Sequence, residues 1–421
     1  MAVVGADDSV EEAGEAGIEV VEAQRRPASV AVLSLADDAG LAQSPAQLVG
    51  ARLLKGLTAA AMVPQVLALI AAVFPASERP RALAWFGVTM GVGAVAGQVL
   101  GGLLLDANLF GLGWRVIFLV NVPIAITAAT FAQRLLPAAR VVSRTRVDFV
   151  GMVGVSGSLA LALVPLALGR TEGWPLWMWA SFIAATPVMG AAALWEWTLV
   201  RRGGQPLLDL ALFRDAVFNW GLVVNVAVFG SFFGFLFTLT LVMQDGLGLT
   251  PLQAGLAFAP LGVAFAVASI TAKQFIVRHG GRVITMGTAI AAVGLLALVV
   301  VLQLSTGAAS APHLIGPMVI VGLGNGISVP ALIGAVLAGI RAKQAGAAAG
   351  VLTTSQQFAS AAGVAGLGSI FFQVLGTRTG VLAYVSALQW SAAFSVLLVV
   401  AASVMSTRLP RPTRDGRQGS N

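Results

Sequence analysis

The chain of 421 residues has no cysteine, two histidines and one tyrosine, and only 10% of its residues are charged. Without cysteine there can be no disulfide framework, no thiolate metal site and no cysteine nucleophile. The two histidines, His279 and His313, fall on opposite sides of the expected topology, so they cannot share a metal. A soluble domain carries about a quarter charged residues, and the shortage here excludes one. Period-2 alternation is also missing, which excludes a membrane barrel and leaves helices as the structure that satisfies the backbone in lipid.

What the chain has is apolar surface: 57% hydrophobic residues and a mean hydropathy of +0.89. Spans need roughly 20 mainly apolar residues to cross about 30 Å of hydrocarbon. Uninterrupted stretches predict helices at 47–73, 82–105, 114–134, 149–169, 176–199, 217–242, 252–272, 283–304, 314–340, 346–373 and 382–406, an all-α integral membrane bundle of about eleven spans. The 49 glycines fit this reading, because small residues let helix backbones approach closely in lipid.

The net charge of +7 does not point to nucleic acid, because the basic residues lie in short clusters between apolar runs. Arg79 and Arg81 form one cluster, Arg134, Arg140, Arg144 and Arg146 the next, then Arg201, Arg202 and Arg214. Lys273, Arg278 and Arg282 follow, then Arg341 and Lys343, and last the tail residues Arg408, Arg411, Arg414 and Arg417. These hold 18 of the 25 basic residues and occupy alternate loops. The positive-inside rule therefore places the C-terminus and the basic tail 407–421 in the cytoplasm. Eleven spans then put the N-terminus outside. Residues 1–46 carry nine of the 18 acidic residues and no apolar signal region, so they are expected to be a non-membrane segment, disordered or foreign to the 47–406 transmembrane domain.

From residue 48 onward the chain resembles the major facilitator superfamily, in particular its fourteen-span drug:proton antiporters. LVGARLLKGLTAAAMVPQVLALI, from Leu48 to Ile70, is similar to the family's fourth span, with Arg52 and Gly56 at its marked positions and Lys55 where Gln is usual. GVGAVAGQVLGG, from Gly91, resembles the antiporter motif of the fifth span, with Gln98 in place of the usual Pro. GWRVIFLVNVPI from Gly113, QPLLDLALFRD from Gln205, LTPLQAGLAFAP from Leu249, GLGNGISVPAL from Gly322 and QAGAAAGVLTTSQQFASAAGVAGLG from Gln344 follow in the family's order. RHGGR, from Arg278, weakly echoes a family gating loop.

The resemblance implies that the first three of fourteen spans are missing. It also implies a plasma-membrane exporter that moves hydrophobic or cationic small molecules against protons by alternating access, without a cofactor. The expected alternative is a truncated, non-transporting remnant. No enzymatic constellation is present, and no motif specifies an oligomeric state.

Arg52, inside an apolar span where a central arginine costs roughly 2.5–3.5 kcal/mol, is the leading candidate for transport or coupling, with Gly56 and Asp106. Gly93, Gly97, Gln98, Gly101 and Gly102 are the candidate helix-packing motif. Asn225, Gln244 and Gln357 are candidate cavity residues, with Gln356 beside them. Asp148, Glu196 and Asp215 are expected to be interfacial charges near inner helix ends. Trp174, Trp177 and Trp179 are expected to form an interfacial belt.

Overall fold

The computed structural model describes scattered residues between 44 and 75, and then 78–135, 148–204, 206–279, 281–305, 311–338, 340–341 and 344–408. The expected acidic segment 1–46, apart from isolated positions, most of the first span and the basic tail beyond 408 lie outside the described residues.

The helices are α1 (Arg79–Ala107), α2 (Asn121–Leu135), α3 (Phe149–Glu172), α4 (Leu176–Arg201), α5 (Ala216–Leu241), α6 (Pro251–His279), α7 (Arg282–Leu304), α8 (Ala311–Ala338), α9 (Ala345–Leu375) and α10 (Val381–Ser406). Eight of them, α3 to α10, are long and apolar enough to cross a membrane. Their ends fall close to the expected spans, and local chemistry accounts for several. Asp148 caps α3 by accepting the Val150 and Gly151 N–H groups, and Asp215 caps α5 through Val217 N–H. Thr250 and Gln253 bond reciprocally at the start of α6, each taking the other's backbone N–H, as a capping box does. Gly173, at φ 71°, ends α3 in the left-handed conformation that glycine adopts without a Cβ penalty.

The expected span 114–134 is broken. A 3-10 turn at Gly113–Arg115 leads into one helical turn, Val116–Leu119, and α2 begins only at Asn121. Pro123 has no N–H for the Leu119 carbonyl four residues earlier, so the ladder lapses there. Upstream, Asn108 ends α1 at φ 39° and its side chain accepts Gly113 N–H at 3.1 Å.

Among the described residues the core forms two large apolar clusters, beside a small one of Ala51 and Phe118. One joins Phe235, Leu239, Leu298, Met318, Phe371 and Leu388; the other joins Phe218, Val224, Ile284, Leu332, Leu352 and Ala402. Between them, on α5, α7, α8 and α9, lies a waist of small residues. A Cβ on Gly230 would sit 3.2 Å from the Ala359 carbonyl, and one on Gly363 would strike Gly230 itself, so α5 and α9 cross backbone to backbone. The GLGNG run of α8 serves two neighbours. Gly322 and Gly326 face the Leu261 and Phe265 carbonyls of α6, while Gly324 faces Gly287 and Ala291 of α7. Serine hydroxyls close the same layer, Ser269 donating to the Gly326 carbonyl at 3.1 Å and Ser231 to that of Ser395 at 3.3 Å. Polar side chains that bond across helices in this way avoid the cost of an unmet donor in lipid.

α1 packs mainly along α6 and less along α8, whereas α3 pairs with α4 and touches α9. Arg201 stacks over Trp197 at 3.6 Å and Arg408 over Trp220 at 5.0 Å, the amphipathic pairing expected where a helix leaves the hydrocarbon. The three expected belt tryptophans are exposed, with Trp174, Trp179 and Phe182 in mutual ring contact.

Candidate functional site

A cavity of about 2080 Å³ opens between α3 and α4 on one side and α5, α9 and α10 on the other. Its wall is mostly apolar, with Met152, Leu159, Val226, Phe358, Ile370 and Phe394 among the lining residues. Typical small-molecule pockets hold roughly 300–1,000 Å³, so this one exceeds the needs of a single drug-sized ligand.

Polar groups gather at one end, where the 206–214 loop runs beneath the bundle. Glu196 is fully buried on α4, and its Oε2 accepts Leu207 N–H at 3.0 Å. Trp195 Nε1 donates to Asp148 Oδ1 at 3.1 Å and Oδ2 at 3.2 Å. Asp209 Oδ1 accepts Ala211 N–H, and its Oδ2 accepts Gln344 Nε2 at 2.6 Å. The loop is thereby tied to α4 at Glu196 and to the start of α9 at Gln344. Glu196 and Asp148, expected to be interfacial, both line the cavity.

The other expected residues are dispersed. Arg52 lies with its guanidinium 4.7 Å from the Phe118 ring centre, and the Lys55 ammonium lies 5.8 Å from the same ring. Gly56 is exposed, as is Asp106 in the last turn of α1. In the glycine motif, Gly102 is buried and would meet the Pro251 and Leu252 backbone of α6 within 2.7 Å, and the Gln98 carbonyl approaches Gly255. Gly93, Gly97 and Gly101 have no described atom within 4 Å of an added Cβ. The face against α6 instead includes Gly87, which fits against Pro330 and Ser269.

Asn225 is fully buried on α5; its Nδ2 donates to Ser355 Oγ at 2.9 Å and its Oδ1 accepts Gln356 Nε2 at 3.2 Å. Gln357, the candidate chosen from sequence, is exposed. The helical phase distinguishes the two glutamines: Ala345, Ala348, Ala349, Leu352 and Ala359 are buried at spacings of one or two turns that include 356 and miss 357. Gln244 is half-buried in the π-helical turn Val242–Gly246 that follows α5. The cavity is not lined by Asn225, Gln244 or Gln357.

A polytopic helical membrane protein with a glycine waist and a large apolar cavity is the class that this architecture defines. The comparisons narrow it. Residues 28–364 match the family model described as the Major Facilitator Superfamily, and the chain belongs to that family of transporters. It is 36% identical over 339 residues to the probable actinorhodin transporter of Streptomyces coelicolor, covering 80% of this chain and 59% of that protein. It is 31% identical over 346 residues to the cephamycin export protein CmcT of Amycolatopsis lactamdurans, covering 81% of this chain and 68% of that one. The chain therefore spans about three-fifths to two-thirds of the length of these relatives. Among solved structures, the proton:xylose symporter XylE superposes with a TM-score of 0.61 at 14% identity, over 95% of this chain and 84% of that one. At that identity the likeness is one of fold.

Proposed function

We propose that the chain acts as a secondary transporter of the drug-efflux kind, exporting hydrophobic or cationic small molecules in exchange for protons by alternating access. The observation that carries this reading is membership of the family together with relatives named for antibiotic transport and export. A largely apolar cavity of about 2080 Å³ between helices suits such cargo. In this reading Arg52, Gly56 and Asp106 serve transport or coupling. Gly93, Gly97, Gln98, Gly101 and Gly102 form a sliding face of α1, and Asn225, Gln244 and Gln357 meet substrate in other states of the cycle. The protein resides in the plasma membrane with its C-terminus in the cytoplasm.

The test is efflux of a cationic dye from cells expressing the chain, with and without a protonophore. Energy-dependent efflux that the protonophore collapses and that Arg52→Ala diminishes is expected. Dye retention equal to the empty-vector control would remove the proposal, and efflux indifferent to the protonophore would remove its proton half. A C-terminal reporter that is active only in the cytoplasm checks orientation.

A further inference from the structure

Two buried side-chain polar atoms among the described residues have no hydrogen-bond partner, and one of them belongs to a carboxylate: Glu196 Oε1. The other oxygen of Glu196 is satisfied by Leu207 N–H. Asp148 stands directly opposite. Its Oδ1 is occupied by the Val150 and Gly151 N–H groups and by Trp195 Nε1, and its Oδ2 receives only the longer branch of the Trp195 bond. A Cβ built on Gly151 would run into Glu196 Oε1 and Asp148 Oδ2 together. The two oxygens thus face one another across the space that this glycine leaves open, at one end of the large cavity.

Among the described residues, the charges around the pair are few. Asp148 is the charged group that acts on Glu196. Asp209, on the loop below, is engaged by Gln344 and Ala211, and Arg201, five residues along α4, is stacked on Trp197. Two facing carboxylates with no described cation between them are held apart by like charge, and burial penalises the charge on Glu196. One proton removes the repulsion and gives Oε1 a hydrogen bond to donate.

We propose that Glu196 and Asp148 hold a single proton between them, with Glu196 Oε1–H donating to Asp148 Oδ2, so that the foot of the α3–α4 hairpin is a proton-binding site. One O–H bond forms, the proton is taken up from bulk solvent as hydronium that leaves water behind, and the pair carries one negative charge instead of two. The site stands apart from the transport reading. Failed efflux with the proton in place and efflux with no proton here are separate results.

Infrared spectroscopy of the purified full chain in detergent at neutral pH tests this directly. The wild type is expected to show a protonated-carboxyl C=O stretch that shifts in D2O, and Glu196→Gln is expected to lose it while the amide bands of the helices stay unchanged. Asp148→Asn, which leaves no second carboxylate to share the proton, is expected to lose the same band. Absence of the band in the wild type, or its persistence in Glu196→Gln, would overturn the proposal. So would its disappearance on adding sodium or magnesium chloride, which would mark a metal-cation site instead.

Discussion

Substituting alanine for Gly255 tests the contact between α1 and α6. A Cβ at Gly255 would lie 2.6 Å from the Gln98 carbonyl oxygen and 3.1 Å from Val99 Cα, all backbone that cannot rotate away. Ordinary contact begins near 3.4 Å, so the helices must part by about 0.8 Å. A gap of 0.5–1 Å forfeits a quarter to a half of each dispersion contact along the seam, and overpacking of this kind costs about 1–3 kcal/mol. Gly97→Ala is the matched control, because no described atom lies within 4 Å of its added methyl. There the helix gains about 0.5–1 kcal/mol from the lower backbone entropy of alanine. Thermal denaturation of both purified variants in one detergent, followed as the loss of the monodisperse chromatographic peak, should move the midpoint in opposite directions. Equal stability of Gly255→Ala and the wild type, or a loss in Gly97→Ala matching that in Gly255→Ala, would refute the packing argument.

Asn225→Ala leaves the buried Gln356 amide without its acceptor and should destabilise by about 1–3 kcal/mol; replacing both Asn225 and Gln356 by leucine should recover much of this, as the same melting assay can show. Gln344→Ala releases Asp209 from α9, costs about 1 kcal/mol, and should hasten proteolytic cleavage within 206–214. The chain has no native cysteine, so cysteines placed at positions 209 and 344 should be bridged without background by a short bifunctional thiol reagent, and failure of that bridging would disprove their proximity. Phe118→Leu removes the ring shared by Arg52 and Lys55 and should lower efflux less than Arg52→Ala does.

Span positions were legible because apolar length in lipid admits little besides a helix, and the ends of α3 to α10 fall within a few residues of the hydropathic stretches except at the C-terminal end of α6, which continues to His279. The break before α2 is not legible in hydropathy, which registers the apolar composition of a stretch and not the N–H donor that Pro123 lacks. The glycine motif was legible as a packing face but not in its phase. Which edge of α1 meets α6 depends on where Gly255 and Leu252 lie, about 150 residues away. Glu196 looked like an interfacial charge because sequence places it only by distance from a helix end. Its burial comes from the 206–214 loop folding beneath it and from α3 alongside, both tertiary facts. Gln356 could have been preferred to Gln357 by following the alanine and leucine spacing of α9.

The pairing of α1 with α6 has a consequence for biogenesis. About 140 residues separate the end of α1 from the start of α6, which at 5–20 residues per second takes the ribosome about 7–30 s. For that interval α1 enters the bilayer with its glycine-rich edge bare, exposing backbone carbonyls such as that of Gln98, which the finished protein covers with Gly255. The four helices α2 to α5 are made before the edge is covered, so a chain stalled before Pro251 presents this unclosed seam to quality-control proteases.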